Sequence, residues 1–163
     1  MQAVEASRYF ADQYGVNIVA QAPERELQIV ADAEKLIQVL VNLLSNAAKF
    51  SPHGSTVTIG VEQRDNLVQI YIRDQGPGIP TALGEAVFDK FFQIDSSDTR
   101  SRGGVGLGLS ISREIVKALD GKIRFESSPG KGTTFFVEFP PATGTVSENF
   151  GEPQGSMQQE HYA

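Results

Sequence analysis

The sequence predicts an α+β fold, an α/β sandwich in which a mixed, mostly antiparallel sheet has helices packed on one face. Three observations carry this expectation. Two pairs of short alternating runs, Thr56–Gln63 with Leu67–Asp74 and Lys122–Ser127 with Thr133–Phe139, are joined by turn-rich linkers, and hairpins require antiparallel neighbours. Two longer segments, Asp32–Phe50 and Leu107–Leu119, carry apolar residues at helical spacing. Strands and helices interleave along the chain, but the hairpins exclude a doubly wound parallel sheet.

The elements follow in order. Ala3 to Gln13 reads as a helix carrying Val4, Tyr9 and Phe10, stopped by Gly15. Val16–Ala20 is a strand, Pro23–Glu26 a turn, and Leu27–Ala31 a second strand. Asp32 is the N-cap of a helix that runs to Phe50 and ends at Ser51-Pro52-His53-Gly54. Its apolar stripe is Ile37, Leu40, Val41, Leu44 and Ala48. The first hairpin turns at Arg64-Asp65-Asn66. Gln75–Pro80 is a glycine-rich loop leading into a short helix that ends near Phe88. Residues 89–104 are polar after Ile94 and read as a long mobile loop of the functional kind. The helix Leu107–Leu119 is expected to close on Gly121 as its left-handed residue. Residues 1–140 form one domain, and 141–163, poor in apolar residues and without Lys or Arg, read as a disordered tail.

Composition narrows function. The 163 residues contain no Cys, which removes disulfides, thiolate metal sites and Cys nucleophiles, and the two His, at 53 and 161, are too far apart to suggest a His-built metal site. A net charge of −6 argues against nucleic-acid binding. No apolar run is long enough to span a membrane, no signal peptide opens the chain, and no direct membrane contact is expected. Ten of the 16 Gly lie between Gly76 and Gly132, so glycine is used locally.

Three constellations carry chemistry. On the first long helix the side away from the stripe holds Asn42, Asn46, Lys49 and Phe50. Two carboxamides one turn apart offer oxygen to Mg²⁺, Lys49 offers charge to a phosphate, and Phe50 a flat apolar surface; alone, the same residues make an ordinary solvated helix face. Asp74 continues the parity of Val68, Ile70 and Ile72, so it points inward, where a carboxylate needs hydrogen-bond donors such as a purine amine; alone, it reads equally as an Asp that caps the turn after it. Gly76 and Gly78 after it permit close backbone approach to a flat ligand. Thr133 faces inward by the same parity with Phe135 and Val137. The third is Gly103-Gly104-Val105-Gly106-Leu107-Gly108-Leu109, a glycine-rich turn entering a helix, where backbone N–H groups meet phosphate. It has no Lys-Ser/Thr pair and follows no strand, so neither a P-loop nor a dinucleotide fingerprint fits. Lys49, Arg100, Arg102 and Lys131 add local positive charge.

In order, these pieces resemble the catalytic ATP-binding domain of bacterial sensor histidine kinases, of the superfamily shared with gyrase-type topoisomerases, mismatch-repair ATPases and heat-shock chaperones. Asn42-Leu43-Leu44-Ser45-Asn46-Ala47-Ala48-Lys49-Phe50 resembles the N box, Asp74-Gln75-Gly76-Pro77-Gly78-Ile79 the G1 box and Phe88-Asp89-Lys90-Phe91-Phe92 the F box. Gly104-Val105-Gly106-Leu107-Gly108-Leu109 resembles the G2 box and Gly130-Lys131-Gly132-Thr133 the G3 box. The resemblance covers roughly residues 3–140.

The resemblance implies ATP and Mg²⁺ as cofactors. It implies that Asp74 binds the adenine amine, partly through water, with Thr133 assisting, and that Phe50, Gly76, Gly78 and Ile79 line the base pocket. Asn46 is implied as the Mg²⁺ ligand, Asn42 as a helper at the phosphates and Lys49 as a phosphate contact. Residues 89–103 are the implied ATP lid, anchored by Phe91 and Phe92, with Arg100 or Arg102 reaching the terminal phosphate. Gly104 to Leu109 admit the phosphates. The implied partners are a histidine-bearing dimerisation domain and, downstream, a response-regulator receiver domain. The implied location is cytoplasmic, with the parent protein open to membrane anchoring, and the isolated domain is expected to be monomeric.

One position separates the relatives. Hydrolysing members carry Glu where this chain has Asn42, and a carboxamide accepts no proton at neutral pH. That disfavours two alternatives, an ATPase and a serine/threonine kinase of the anti-sigma type, while the intact boxes disfavour an inactive binding module. His53, after Pro52 and without an acidic neighbour, does not resemble the phosphoacceptor, and His161 lies in the tail.

Overall fold

A computed structural model describes residues 2–92 and 106–142. Arg100, Arg102, Gly104, Val105, the rest of the expected lid from residue 93 to 103, and the expected tail from residue 143 onward lie outside the described residues.

Five strands form one sheet in the order β1-β2-β3-β5-β4. They are β1 (Asn17–Gln21), β2 (Thr56–Arg64), β3 (Leu67–Arg73), β4 (Lys122–Ser127) and β5 (Thr133–Phe139). β1 runs parallel to β2, and every other pairing is antiparallel. Both predicted hairpins form. Asp65 and Asn66 take φ of 48° and 61°, the two positive values that a two-residue I′ turn demands. Register places Ile59, Ile72, Phe135 and Phe125 in one row and Val61, Ile70, Val137 and Ile123 in the next, all on the inner face.

Helices α1 (Gln2–Ala6), α2 (Arg8–Tyr14), α3 (Ala33–Phe50) and α4 (Gly108–Ala118) cover that face, with α3 between the first two and α4. The single helix expected over 3–13 breaks at Ser7, which is fully buried and turns its Oγ–H back onto the Ala3 carbonyl at 2.8 Å. A hydroxyl that caps the helix it sits in competes with continuing it. Gly15 closes α2 in the left-handed region as expected.

α3 begins where its cap predicts. Asp32 accepts from the backbone N–H groups of Glu34 and Lys35 at 3.0 and 3.1 Å. Its buried residues are Val39, Leu40, Leu43, Leu44, Ala47 and Ala48, while the expected Ile37 and Val41 are only half-buried. The stripe is wider than predicted and rotated, because the helix packs on neighbours to both sides as well as on the sheet.

Two further expectations change. Leu27–Ala31 keeps its alternation, with Leu27, Ile29 and Ala31 half-buried and Val30 82% exposed, but it joins no sheet; the Gln28 carbonyl accepts from Ala142 N–H at 2.8 Å. A short alternating run is a strand only if a partner edge is available, and this segment lies between the end of β1 and the start of α3. At the end of α4 the left-handed residue is Asp120 (φ 58°), not Gly121. Asp120 N–H bonds Lys117 O and Gly121 N–H bonds Val116 O, the paired contacts of a Schellman motif. Gly121 is required for a different reason: a Cβ there would stand 2.5 Å from the Phe139 ring. The short helix before Phe88 is a 3-10 helix, Thr81–Phe88, bent at Gly84.

The outer face of the sheet carries a polar cluster. Glu138, buried, accepts from Arg124 Nε at 2.6 Å and Gln69 Nε2 at 2.7 Å, and the Arg124 guanidinium lies 3.9 Å from the Phe136 ring centre.

Candidate nucleotide site

Three inward-facing polar side chains stand at neighbouring strand ends. Asp74 follows β3, Thr133 opens β5 and Ser127 closes β4, each continuing the inward parity of its strand. At the middle of this group Asp74 is only 7% exposed. Its Oδ1 accepts from Gly76 N–H at 2.8 Å and Thr133 N–H at 3.0 Å, and its own N–H donates to Thr133 O at 2.9 Å. Among the described residues Oδ2 has no hydrogen-bond partner, so that oxygen can accept from a ligand or from water. Burial pushes the Asp74 carboxyl above the usual carboxylate range, and the two backbone bonds pull it back only partly.

Glycines let two loops interlock around this carboxylate. A Cβ on Gly76 would sit 2.9 Å from the Phe50 carbonyl oxygen and 3.0 Å from Asp74 Oδ1. At Gly132, with φ +80°, a Cβ would overlap the Asp74 carbonyl oxygen. Gly130 N–H donates to Pro77 O at 2.7 Å, and Ile79 N–H donates to Ser127 Oγ at 2.7 Å. The predicted base-pocket residues Phe50, Gly76, Gly78, Ile79, Asp74 and Thr133 therefore lie around one point. Ser127 was not anticipated, although the parity that singles out Thr133 applies equally to it. Nor was Gln75, whose Oε1 accepts from Thr56 N–H at 3.1 Å and ties the loop to β2; no pattern in the sequence marks it.

The second group lies where α3 faces the start of α4. Asn42 Nδ2 donates to Ser112 Oγ at 2.8 Å, and a Cβ on Gly108 would meet Asn42 Oδ1 at 2.5 Å. The carboxamide is thus held by its nitrogen while its oxygen lies on the first residue of α4. Ser112, at 2% exposure, is a further residue that sequence reasoning missed, being indistinguishable there from a helix-surface serine. Asn46 sits one turn on, half-buried, with no hydrogen-bond partner among the described residues. Lys49 Nζ lies 5.1 Å from the Phe50 ring centre. Leu107 and Leu109 are half-buried at the entry to α4. Gly106, with φ +72°, accepts from Phe91 N–H at 2.9 Å, so the residues after Phe88 are tied to the entry of α4. Phe91 is 68% exposed, whereas Phe92 packs on the core.

The donor set admits a divalent ion in one way. No cluster of three or more His, Cys, Asp or Glu exists among the described residues, so no all-protein cage is available. A carboxamide oxygen on Asn46 fits Mg²⁺ that brings phosphate and water as its other ligands.

Residues 31–143 match the family described as histidine kinase-, DNA gyrase B- and HSP90-like ATPases. The chain is 43% identical over 127 residues to the sensor histidine kinase WalK of Bacillus subtilis, covering 77% of this chain and 21% of WalK. It spans about a fifth of that relative's length. Among solved structures it is similar to the mycobacterial sensor histidine kinase MprB, with a TM-score of 0.71 at 28% identity over 86% of this chain and 93% of that one. It is also similar to full-length ShkA in complex with AMPPNP, with a TM-score of 0.74 at 29% identity over 88% of this chain and 29% of that one.

Proposed function

Because the chain belongs to the histidine kinase-, DNA gyrase B- and HSP90-like ATPase family, we propose that it is the catalytic domain of a two-component sensor histidine kinase. In this reading it binds Mg·ATP and donates the γ-phosphoryl group to a histidine on a separate dimerisation domain. The observation that carries the nucleotide assignment is Asp74, a buried carboxylate with two backbone donors on one oxygen and none on the other among the described residues, in a site where Gly76 and Gly132 let two loops approach it closely. That oxygen would take the adenine amine, Thr133 would assist, and Phe50, Gly76, Gly78 and Ile79 would wall the base. Asn42 and Lys49 would neutralise and orient the phosphates, as would Arg100 or Arg102. Asn46 would hold Mg²⁺, which supplies charge neutralisation between the phosphates. Gly104, Val105, Gly106, Leu107, Gly108 and Leu109 would bring backbone N–H groups to the phosphates, and Phe91 would border them.

Phosphoryl transfer is chiefly positioning and charge stabilisation, so no covalent step on this chain is needed. The choice of transfer over hydrolysis rests on Asn42, whose Nδ2 donates one hydrogen bond to Ser112 and whose carboxamide oxygen cannot take a proton from water. The partners in this reading are the histidine-bearing domain and a receiver domain downstream. The domain boundary at 140 and a monomeric, cytoplasmic state for the isolated domain belong to the same proposal. Labelled ATP tests it. The chain alone should take up almost no label and hydrolyse ATP slowly, and adding a histidine-bearing helical domain should yield acid-labile label on that domain. Label on this chain that is lost on mutating His53, or turnover of about 1 s⁻¹ or more without a partner, would overturn it.

A further inference from the structure

Ser127 carries three contacts on one hydroxyl. Its Oγ lies 2.7 Å from Ile79 N, 3.0 Å from Gly132 O and 2.9 Å from Thr133 Oγ1. Their directions follow from what each atom can do. Ile79 N–H only donates, so it occupies one lone pair of Ser127. Gly132 O only accepts, so it requires the single Ser127 proton. With that proton spent, the Thr133 contact is a hydrogen bond only if Thr133 donates into the second lone pair of Ser127. The reverse assignment would leave Ser127 Oγ and Gly132 O facing each other as two acceptors at 3.0 Å. The first assignment makes all three contacts hydrogen bonds and uses the full capacity of the hydroxyl.

We propose that Ser127 is a positioning residue that sets the polarity of the nucleotide-base pocket by holding the Thr133 proton away from it. Thr133 Oγ1 then presents only lone pairs, beside Asp74, whose Oδ1 is filled by Gly76 and Thr133 N–H and whose Oδ2 is a second acceptor. Two neighbouring acceptors suit a ligand edge that brings two protons on one atom, a 6-amino purine, met directly or through one water. They oppose a 6-oxo purine, whose oxygen would meet acceptors on both sides. The same hydroxyl joins the loop before Ile79 to the turn before Thr133, so base selection and loop closure share one atom. This rests on the reading of Asp74 and Thr133 as the base site.

The experiment compares ADP with inosine diphosphate by calorimetric titration of the whole chain. The wild type should prefer ADP by about tenfold or more, the cost of leaving a buried polar pair mismatched. Ser127→Ala frees the Thr133 hydroxyl to rotate and donate, so the ADP-to-IDP ratio should fall by about threefold or more. Losing the Ile79 contact weakens both nucleotides alike and cancels in the ratio. Ser127→Cys, which keeps the volume but is a weak acceptor, should lower the ratio in the same direction, and Ser127→Thr should restore it. Equal weakening of both nucleotides in the Ala and Cys variants, with the ratio unchanged, would overturn the polarity role and leave the base site standing. A wild type that binds IDP as well as ADP would overturn the base site itself.

Discussion

Asp74→Asn separates the fold from the ligand, because the two oxygens of Asp74 do different things. Oδ1 takes the N–H groups of Gly76 and Thr133, and an Asn oxygen placed there keeps both bonds. Oδ2 is replaced by an NH₂ group, which turns the acceptor proposed for the adenine amine into a donor. A charge-assisted hydrogen bond in a buried site is worth about 1.5–3 kcal/mol, so ADP and ATP should each weaken by roughly 10- to 150-fold.

The pH dependence has a definite sign. Burial raises the Asp74 pKa above its ordinary 3.8, against the pull of the Gly76 and Thr133 bonds. The ligand-free folded state therefore binds this proton more tightly than the unfolded chain does. The stability contributed by that proton is fully present below 3.8 and is lost as pH rises through the folded value. At neutral pH the buried charge is a burden, so the ligand-free Asn variant should melt no lower than the wild type. ADP favours the ionised form, so wild-type affinity should decline as pH falls through the folded value, and the Asn variant should lack that decline. Titration calorimetry with ADP reads the affinity and differential scanning calorimetry the melting. ADP affinity within about threefold of wild type, or a variant that binds weakly only because it unfolds, would refute the assignment of Oδ2.

Three other substitutions probe other parts. Asn46→Ala should erase most of the difference between nucleotide affinity with Mg²⁺ and with chelator while sparing the chelated value; an unchanged difference removes Asn46 as the metal ligand. Gly132→Ala places a Cβ against the Asp74 carbonyl at φ +80° and should lower stability by at least about 2 kcal/mol together with ADP binding, checked by denaturant titration. Arg124→Ala uncovers Phe136 and leaves Glu138 buried without its cation, which should cost about 3 kcal/mol in the same titration with ADP affinity little changed.

Parity along strands made much of this site legible in the sequence. An inward carboxylate at the end of Val68-Gln69-Ile70-Tyr71-Ile72 has no place in a core unless something donates to it, and Thr133 follows from the same alternation. Ser127 obeys that rule after Ile123 and Phe125, yet a serine next to a Pro-Gly turn has a local explanation that hides it. Hairpin turns and the Asp32 cap were legible because their signals are local. What was not legible depends on neighbours. The buried arc of α3 is set by helices packed on both its sides, so Val39, Leu43 and Ala47 are covered although a one-sided stripe leaves them out. Leu27–Ala31 has the rhythm of a strand, but no rhythm reveals whether a partner edge exists. The left-handed residue after α4 is Asp120, and Gly121 is instead kept free of a side chain by Phe139, a contact between distant residues.

The two groups of the site share α3, and this bears on what the protein does with a bound nucleotide. Near its C-terminal end α3 sets the Phe50 carbonyl against Gly76 and so abuts the base loop. Two turns earlier it sets Asn42 against Gly108 and Ser112 at the start of α4. Eight residues of helix separate Asn42 from Phe50, about 12 Å at 1.5 Å per residue. Asn46 and Lys49 lie between them on the same helix, so the contacts proposed for base, metal and phosphate would be held at fixed spacing before any ligand arrives. Preorganisation of this kind helps binding and charge stabilisation, but it does not generate a nucleophile. At the position where a hydrolase needs a proton acceptor, this chain has a carboxamide tied through its nitrogen to Ser112. On the proposed reading, a site that orients the nucleotide but supplies no nucleophile would be suited to deliver phosphate to a group brought from elsewhere.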